Sequence, residues 1–263
     1  MIKNKMSSKV KFKNTNIKNK NELIIYGKQP VLLSLLNKKR QIFKIYTSNK
    51  KELCDFINKN NIKFNINCIE EKTNKELDNL TLDNEANHQG YIAIVGNRSR
   101  INFNIFCNEI CKDKDNLPKL LILDEVTDPR NVGAIMRTAT AFGVNYIIST
   151  YRNSVNDSGT IIKSSAGYSE IIELIEVRNL NQTMEDLKKV GYFIIGLAGE
   201  TKQDIKSIKD SKNLCIVLGN EGKGIRQLVK KNCDSLYRIE MQNNVESLNV
   251  SVACAIAIYQ LWS

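Results

Sequence analysis

Three polar loops contain the residues of this sequence that could carry out chemistry. The first reads TDPRNVGAIMRTATAFG, in which Asn131 can cap a helix and Arg137 follows about a turn and a half later. The guanidinium of Arg137 sits among small and apolar residues. It can extend to water from an ordinary packing helix, or it can hold a phosphate or an oxyanion in a crevice.

The second loop follows a strongly apolar run and reads GNEGKGI, with Glu221 between its glycines. Glycines let backbone amide groups approach a ligand closely. Gly222 and Lys223 are followed by Gly224 rather than by Ser or Thr, so the loop is not a Walker A phosphate-binding loop. A tight turn that serves only the fold is the alternative interpretation.

The third loop precedes the last helix of the chain and carries Ser247 and Asn249. Either side chain can cap the helix. The helix itself is apolar almost all round, which predicts burial on several sides, against the core and a subunit interface. The alternative is a capped core helix without any chemistry.

The segments between these loops alternate between strand-like and helix-like patterns. Most of the strands are continuous apolar runs, which is typical of parallel strands buried on both faces. The alternation predicts a doubly wound α/β sheet, with a ligand crevice at the carboxyl ends of its strands, where all three loops begin. The predicted strands are 120–126, 145–150, 171–177, 192–198, 214–219 and 236–241, and the predicted helices are 131–142, 157–166, 180–190, 223–232 and 248–262.

The rest of the chain divides by composition. Residues 1–21 contain seven lysines and no acid, which predicts a disordered basic tail suited to a polyanion, or a solvated extension without a specific role. Residues 22–97 predict a small α/β domain, with strands at 42–48, 64–69 and 90–95. Residues 98–118 predict a linker with one helix inside it, and the sheet domain occupies 119–263.

Composition excludes several classes of protein. No apolar run reaches the roughly 18 residues that a membrane span requires, and the N-terminus lacks the apolar segment of a secretory signal. The seven cysteines form no CxxC pair, which predicts reduced, mostly buried thiols in the cytoplasm rather than a zinc site. The net charge of +11 favours a nucleic-acid partner.

The three motifs NVGAIMRTATAFGV, IVLGNEGKGI and IEMQNNVESLNVSVACAIAIYQL resemble the SpoU (TrmH) branch of the SPOUT RNA methyltransferases. The N-terminal domain resembles the L30e-like RNA-binding domain found in many members, including HQG at 88–90. The two-domain layout is most similar to members that methylate a guanosine ribose in 23S rRNA.

The resemblance implies features that the pattern of residues could not supply. It implies a deep trefoil knot formed by the C-terminal segment, against the general rarity of knots. It implies S-adenosylmethionine bound in the knot, and a homodimer with the last helix at the interface. By matching positions, the cofactor-binding residues are Ala198, Gly199, Leu218, Gly219, Ile239, Met241 and Leu248.

The same resemblance implies methyl transfer to a ribose 2′-hydroxyl, with no metal. Arg137 either takes the hydroxyl proton or stays charged and stabilises the alkoxide, although a pKa above roughly 12 makes arginine a difficult base. Two other functions stay open: methylation of tRNA instead of rRNA, and a non-catalytic RNA-binding or ribosome-assembly role. The implied active-site residues are Asn131, Arg137, Glu221, Ser247 and Asn249.

Overall fold

The computed structural model describes residues 22–81, 87–151, 159–209, 212–242 and 247–263, and the basic tail expected over 1–21 lies outside them. The chain divides into two units, Met1–Arg98 and Ser99–Ser263. Within the described residues, no helix combines the length and the apolar character that crossing a membrane would require. All seven cysteines are free thiols.

The first unit is an α/β domain built on a four-stranded mixed sheet of order β1-β4-β2-β3. Strand β4 is antiparallel to β1 and β2, and β3 is parallel to β2. Asn49 and Thr73 start the second and third helices by accepting backbone N–H groups with their side chains. The elements are β1 (Glu22–Tyr26), α1 (Lys28–Leu36), β2 (Ile42–Thr47), α2 (Lys50–Lys59), β3 (Ile69–Glu71), α3 (Asn74–Leu80) and β4 (Tyr91–Gly96).

The structure corrects the strand that was expected over residues 64–69. Residues Ile66–Cys68 form a 3₁₀ turn, and the strand begins only at Ile69. The side chain of Asn65 accepts the N–H of Asn67 at 3.0 Å, which turns the chain. Ile69 is then buried and pairs with β2.

The second unit contains the parallel sheet that the apolar runs predict. Its six strands are ordered β10-β8-β9-β5-β6-β7, and every neighbouring pair is parallel. The elements are α4 (Phe103–Ile105), β5 (Leu120–Leu123), α5 (Pro129–Ala141), β6 (Tyr146–Thr150), α6 (Gly159–Ser164), β7 (Glu173–Val177), α7 (Leu180–Val190), β8 (Phe193–Leu197), β9 (Leu214–Leu218), α8 (Gln227–Asn232), β10 (Ser235–Tyr237) and α9 (Val250–Trp262).

The central strands are buried on both faces, as their continuous apolar runs predict. Leu121 of β5 packs in a cluster with residues of α5 and α9. Ile122 packs on the other face, in a cluster with residues of α7. Phe106, from the segment 98–118 that was expected to be a linker, is fully buried in this second cluster, so that segment packs into the core of the sheet unit.

Three elements of this unit begin or end at least three residues inside their predicted bounds, each for a local reason. Strand β5 ends at Leu123 because Glu125 adopts a left-handed φ of 58°, which an extended strand does not allow. Helix α8 begins at Gln227 because the glycine loop occupies the residues before it. Strand β10 ends at Tyr237 because the next residue, Arg238, pairs instead with the loop between β8 and β9.

Candidate active site

The glycine loop between β9 and α8 is a tight turn held by Asn220. The backbone groups of Asn220 and Gly224 bond to each other, at N–O distances of 3.0 and 2.8 Å. The side-chain oxygen of Asn220 accepts the N–H groups of Gly222 at 3.0 Å and Lys223 at 3.2 Å, and its amide nitrogen donates to the carbonyl of Glu125 at 3.0 Å. The loop therefore has a defined shape before any ligand arrives.

Gly219 starts this loop at a point where a side chain does not fit. A Cβ atom on Gly219 would lie 2.3 Å from both the carbonyl carbon of Gly224 and the backbone nitrogen of Ile225. Both atoms belong to the backbone and cannot rotate away. The loop thus closes back on the end of β9 because position 219 has no side chain.

An ion pair between a buried carboxylate and a partly exposed arginine anchors the far side of the loop. Asp124, at the end of β5, is fully buried and accepts the backbone N–H of Arg226 at 2.8 Å and its Nε–H at 2.7 Å. These contacts with Asp124 raise the pKa of the Arg226 guanidinium. Sequence reasoning missed this pair, although an aspartate directly after four apolar strand residues signals a buried carboxylate that needs a partner.

The side chains of Asn131, Glu221 and Asn249 form one hydrogen-bonded group, with one member from each of the three loops. Asn131 Nδ2 donates to Glu221 Oε2 at 3.2 Å. Asn249 Nδ2 lies 3.0 Å from Asn131 Oδ1 and 3.2 Å from Glu221 Oε1. Asn131 is 90 positions from Glu221 and 118 positions from Asn249 in the chain. The three side chains meet at the carboxyl edge of the sheet, where a parallel sheet places its ligands.

Helix capping corrects the expectation for Asn131 and decides between Ser247 and Asn249. Asp128, not Asn131, caps α5 by accepting the N–H of Arg130 at 2.9 Å, with Pro129 at the first helical position. Asn249, not Ser247, caps α9 by accepting the N–H of Ser251 at 2.9 Å. The amide of Asn131 is therefore available for the polar group described above.

A cleft of about 150 Å³ lies beside this group. Glu221 and Ser247 line the cleft, and so does Arg238. All seven residues expected to bind the cofactor line it as well: Ala198, Gly199, Leu218, Gly219, Ile239, Met241 and Leu248.

Arg137 is placed differently from these residues. It lies on the exposed face of α5 and is absent from the described lining of the cleft. Asn131 and Arg137 are six residues apart, so at about 100° per residue they point roughly 120° away from each other around the helix. Within the described part of the chain, the guanidinium makes no hydrogen bond or ion pair.

Profiles of two protein families match the two units. The profile described as "SpoU rRNA Methylase family" matches residues 118–259, which include all three loops. The profile described as "RNA 2'-O ribose methyltransferase substrate binding" matches residues 24–99. The two matches follow the division of the chain into a mixed-sheet unit and a parallel-sheet unit.

Curated relatives are about 40% identical to this chain over the aligned residues. The 23S rRNA (guanosine-2'-O-)-methyltransferase RlmB of Vibrio cholerae is 40% identical over 192 residues, covering 73% of this chain and 76% of its own. The protein of the same name from Coxiella burnetii is 39% identical over 181 residues, covering 69% and 72%. An uncharacterized tRNA/rRNA methyltransferase of Borreliella burgdorferi is 41% identical over 155 residues, covering 58% and 67%.

Solved structures share the fold at low sequence identity. The AdoMet-bound rRNA methyltransferase of Sinorhizobium meliloti superposes with a TM-score of 0.72 at 18% identity, covering 92% of this chain and 87% of its own. The SpoU methyltransferase AviRb of Streptomyces viridochromogenes, in complex with AdoMet, gives a TM-score of 0.70 at 20% identity, covering 92% and 89%.

Proposed function

We propose that this chain, which belongs to the SpoU rRNA Methylase family and is an RNA 2′-O-ribose methyltransferase, methylates a guanosine of 23S rRNA. The observation that carries the proposal is the meeting of Asn131, Glu221 and Asn249 beside a cleft that Glu221 itself lines. The relatives at about 40% identity are named for a guanosine in 23S rRNA, which supports that target. We expect the reaction to take place in the cytoplasm, where RNA substrate and methyl donor are present.

The cleft suits S-adenosylmethionine as the methyl donor. Leu218, Ile239 and Leu248 give it apolar walls, and a Cβ atom on Gly199 would meet no other atom within 4 Å, which leaves room for a ligand. The Nε–H of Arg238 is buried at the cleft without an acceptor in the described part of the chain, so a ligand carboxylate or hydroxyl could accept its hydrogen bond. When bound, this donor supplies an electrophilic methyl group.

The residues of the chain must then handle the ribose hydroxyl. Glu221 accepts hydrogen bonds from two amides, which fixes Asn131 and Asn249 in one orientation toward the substrate. Ser247 lies at the cleft and can contact the donor or the ribose. Arg137 has no partner in the described part of the chain and can either accept the hydroxyl proton or stay protonated and stabilise the developing alkoxide.

We propose that two copies of the chain associate through α9. Val252, Ile256 and Tyr259 are exposed by 46%, 38% and 64%, and their spacing of four and three residues places them on one stripe of the helix. The opposite side of α9 packs in the core through Cys254, Ala257 and Ile258. A helix that is apolar on its outer side as well is suited to an interface between subunits.

Tyr259→Asp should therefore convert a dimer to a monomer. A charge placed in the apolar stripe would have to be buried without a partner, which costs several kcal/mol. Sedimentation velocity of the full chain measures the change. Leu228→Asp is the matched control, because Leu228 is 65% exposed on α8, outside the stripe, and this variant should remain a dimer. A monomeric wild-type protein would contradict the proposed interface.

We also propose that the C-terminal segment forms the trefoil knot. Arg238 is the first residue after β10. Its backbone N–H donates to the carbonyl of Gln203 at 2.8 Å, and its carbonyl accepts the N–H of Ile205 at 2.9 Å. Arg238 and Glu240 thus contact the loop between β8 and β9, and α9 packs on α5. A chain end that passes this loop and returns to the sheet is consistent with threading.

Mass mapping of ribose methylation in total RNA tests the target. RNA from a strain that lacks the gene should lose methylation at one guanosine of 23S rRNA, and the wild-type gene should restore it. Loss at a tRNA position instead would assign the tRNA function, which the name of the Borreliella relative leaves open. Unchanged methylation at every position would favour the non-catalytic role.

A further inference from the structure

An exposed aromatic residue and an exposed arginine directly follow two neighbouring strands at the carboxyl edge of the sheet, outside the cleft. Tyr151 directly follows β6 and is 57% exposed. Its backbone N–H donates to the carbonyl of Val177 at 3.1 Å, so pairing of the two strands continues past their ends. Arg178 directly follows β7 and is exposed as well.

The register of the sheet places these two side chains on the same face. Ile147 pairs with Leu174 and Thr150 pairs with Val177, so Tyr151 and Arg178 directly follow the last pair of the ladder. Side chains alternate between the two faces of a strand. Tyr151 and Arg178 therefore share the face of Ile147 and Leu174, which is the face that α5 and α9 cover.

Charge at this edge favours an anionic ligand. The side chains of Arg130, Arg137 and Arg178 have no acidic partner in the described part of the chain. The nearest acid on β7, Glu176, is already paired with Arg100. The N-terminus of α7 also points toward this edge, because the helix follows β7 there, and its backbone dipole adds positive potential.

We propose that Tyr151 and Arg178 form a stacking platform for an unpaired base of the RNA that flanks the methylated nucleotide. Proteins hold single-stranded RNA by stacking its bases on aromatic rings and arginine planes, while basic side chains follow the phosphates. Strands β6 and β7 lie two and three strands from β9, which places Tyr151 roughly 10 Å and Arg178 roughly 14 Å from the strand that leads into the glycine loop. That separation suits a neighbouring nucleotide rather than the target itself. The inference rests on the proposed function.

Steady-state kinetics of rRNA methylation test the platform. The substrate is 23S rRNA taken from a strain that lacks the gene. Tyr151→Ala should raise the KM for rRNA about tenfold, because it removes a stacking surface, while kcat and S-adenosylmethionine binding stay within about twofold. Tyr151→Phe keeps the ring and should behave like the wild type. Phe193→Ala is the matched control: Phe193 is 46% exposed at the amino end of β8, on the opposite edge of the same sheet, and should leave the KM unchanged.

Direct binding separates this inference from the proposed target. A labelled oligoadenylate of about ten nucleotides, followed by fluorescence anisotropy, should bind Tyr151→Ala more weakly than the wild type or Tyr151→Phe. Arg178→Ala should flatten the dependence of log K on log salt by about 0.7. Weaker oligoadenylate binding in Tyr151→Ala, together with a wild-type protein that does not methylate rRNA, would keep the platform and reject the target. Wild-type affinity and KM in Tyr151→Ala would overturn the platform.

Discussion

Replacing Arg137 by alanine should reduce kcat for methyl transfer by roughly 10³-fold. A ribose hydroxyl is a poor nucleophile and must lose its proton during the reaction. Arg137 is the candidate active-site residue whose charge is unpaired in the described part of the chain. Because it is exposed and stands apart from the cleft lining, S-adenosylmethionine should bind the variant as it binds the wild type. Single-turnover transfer and calorimetry measure the two effects separately.

Two further variants show what Arg137 contributes. Arg137→Lys keeps the positive charge but loses the planar fork, so a purely electrostatic role predicts partial recovery of transfer. Lys189→Ala removes an exposed cation from α7, whose side chains pack on the other face of the sheet, and should leave kcat unchanged. Transfer by Arg137→Ala at the wild-type rate would remove Arg137 from the mechanism.

The parts of the fold that could be predicted depend on patterns within a few neighbouring residues. Runs of four and five apolar residues predict strands β5 and β9, because a strand that is covered on both faces has no polar side. The meeting of Asn131, Glu221 and Asn249 also followed from topology, because the loops after parallel strands share one edge.

What could not be predicted depends on contacts between distant residues and on the direction of single side chains. Asp124 and Arg226 are 102 positions apart, and neither has a local pattern that identifies the other as its partner. Arg137 points outward because Val132, Ile135 and Met136 of α5 pack in the core and leave position 137 on the exposed side of the helix. Strand β10 ends early because Arg238 bonds to a loop about thirty residues before it.

Replacing Gly219 by alanine should abolish binding of S-adenosylmethionine. The new methyl group would lie 2.3 Å from backbone atoms of Gly224 and Ile225, so the loop would have to move away from the end of β9. Gly219 lines the cleft, and the same loop carries Glu221. A shift of the loop therefore distorts the binding surface and separates Glu221 from Asn131. We expect at least a roughly 100-fold rise in the Kd measured by calorimetry, which corresponds to about 2.7 kcal/mol.

Gly222→Ala is the matched control for Gly219→Ala. It adds the same methyl group three residues further along the same loop, where the nearest atom would be Asn220 Oδ1 at 3.7 Å, an ordinary contact. Its Kd should stay within about threefold of the wild type, since neither the close approach at 219 nor the Asn220 hydrogen bonds need to change. Equal losses in both variants would point to general sensitivity of the loop. Wild-type affinity in Gly219→Ala would mean that the donor binds elsewhere, because position 219 is where the loop backbone lies against the strand that forms the floor of the cleft.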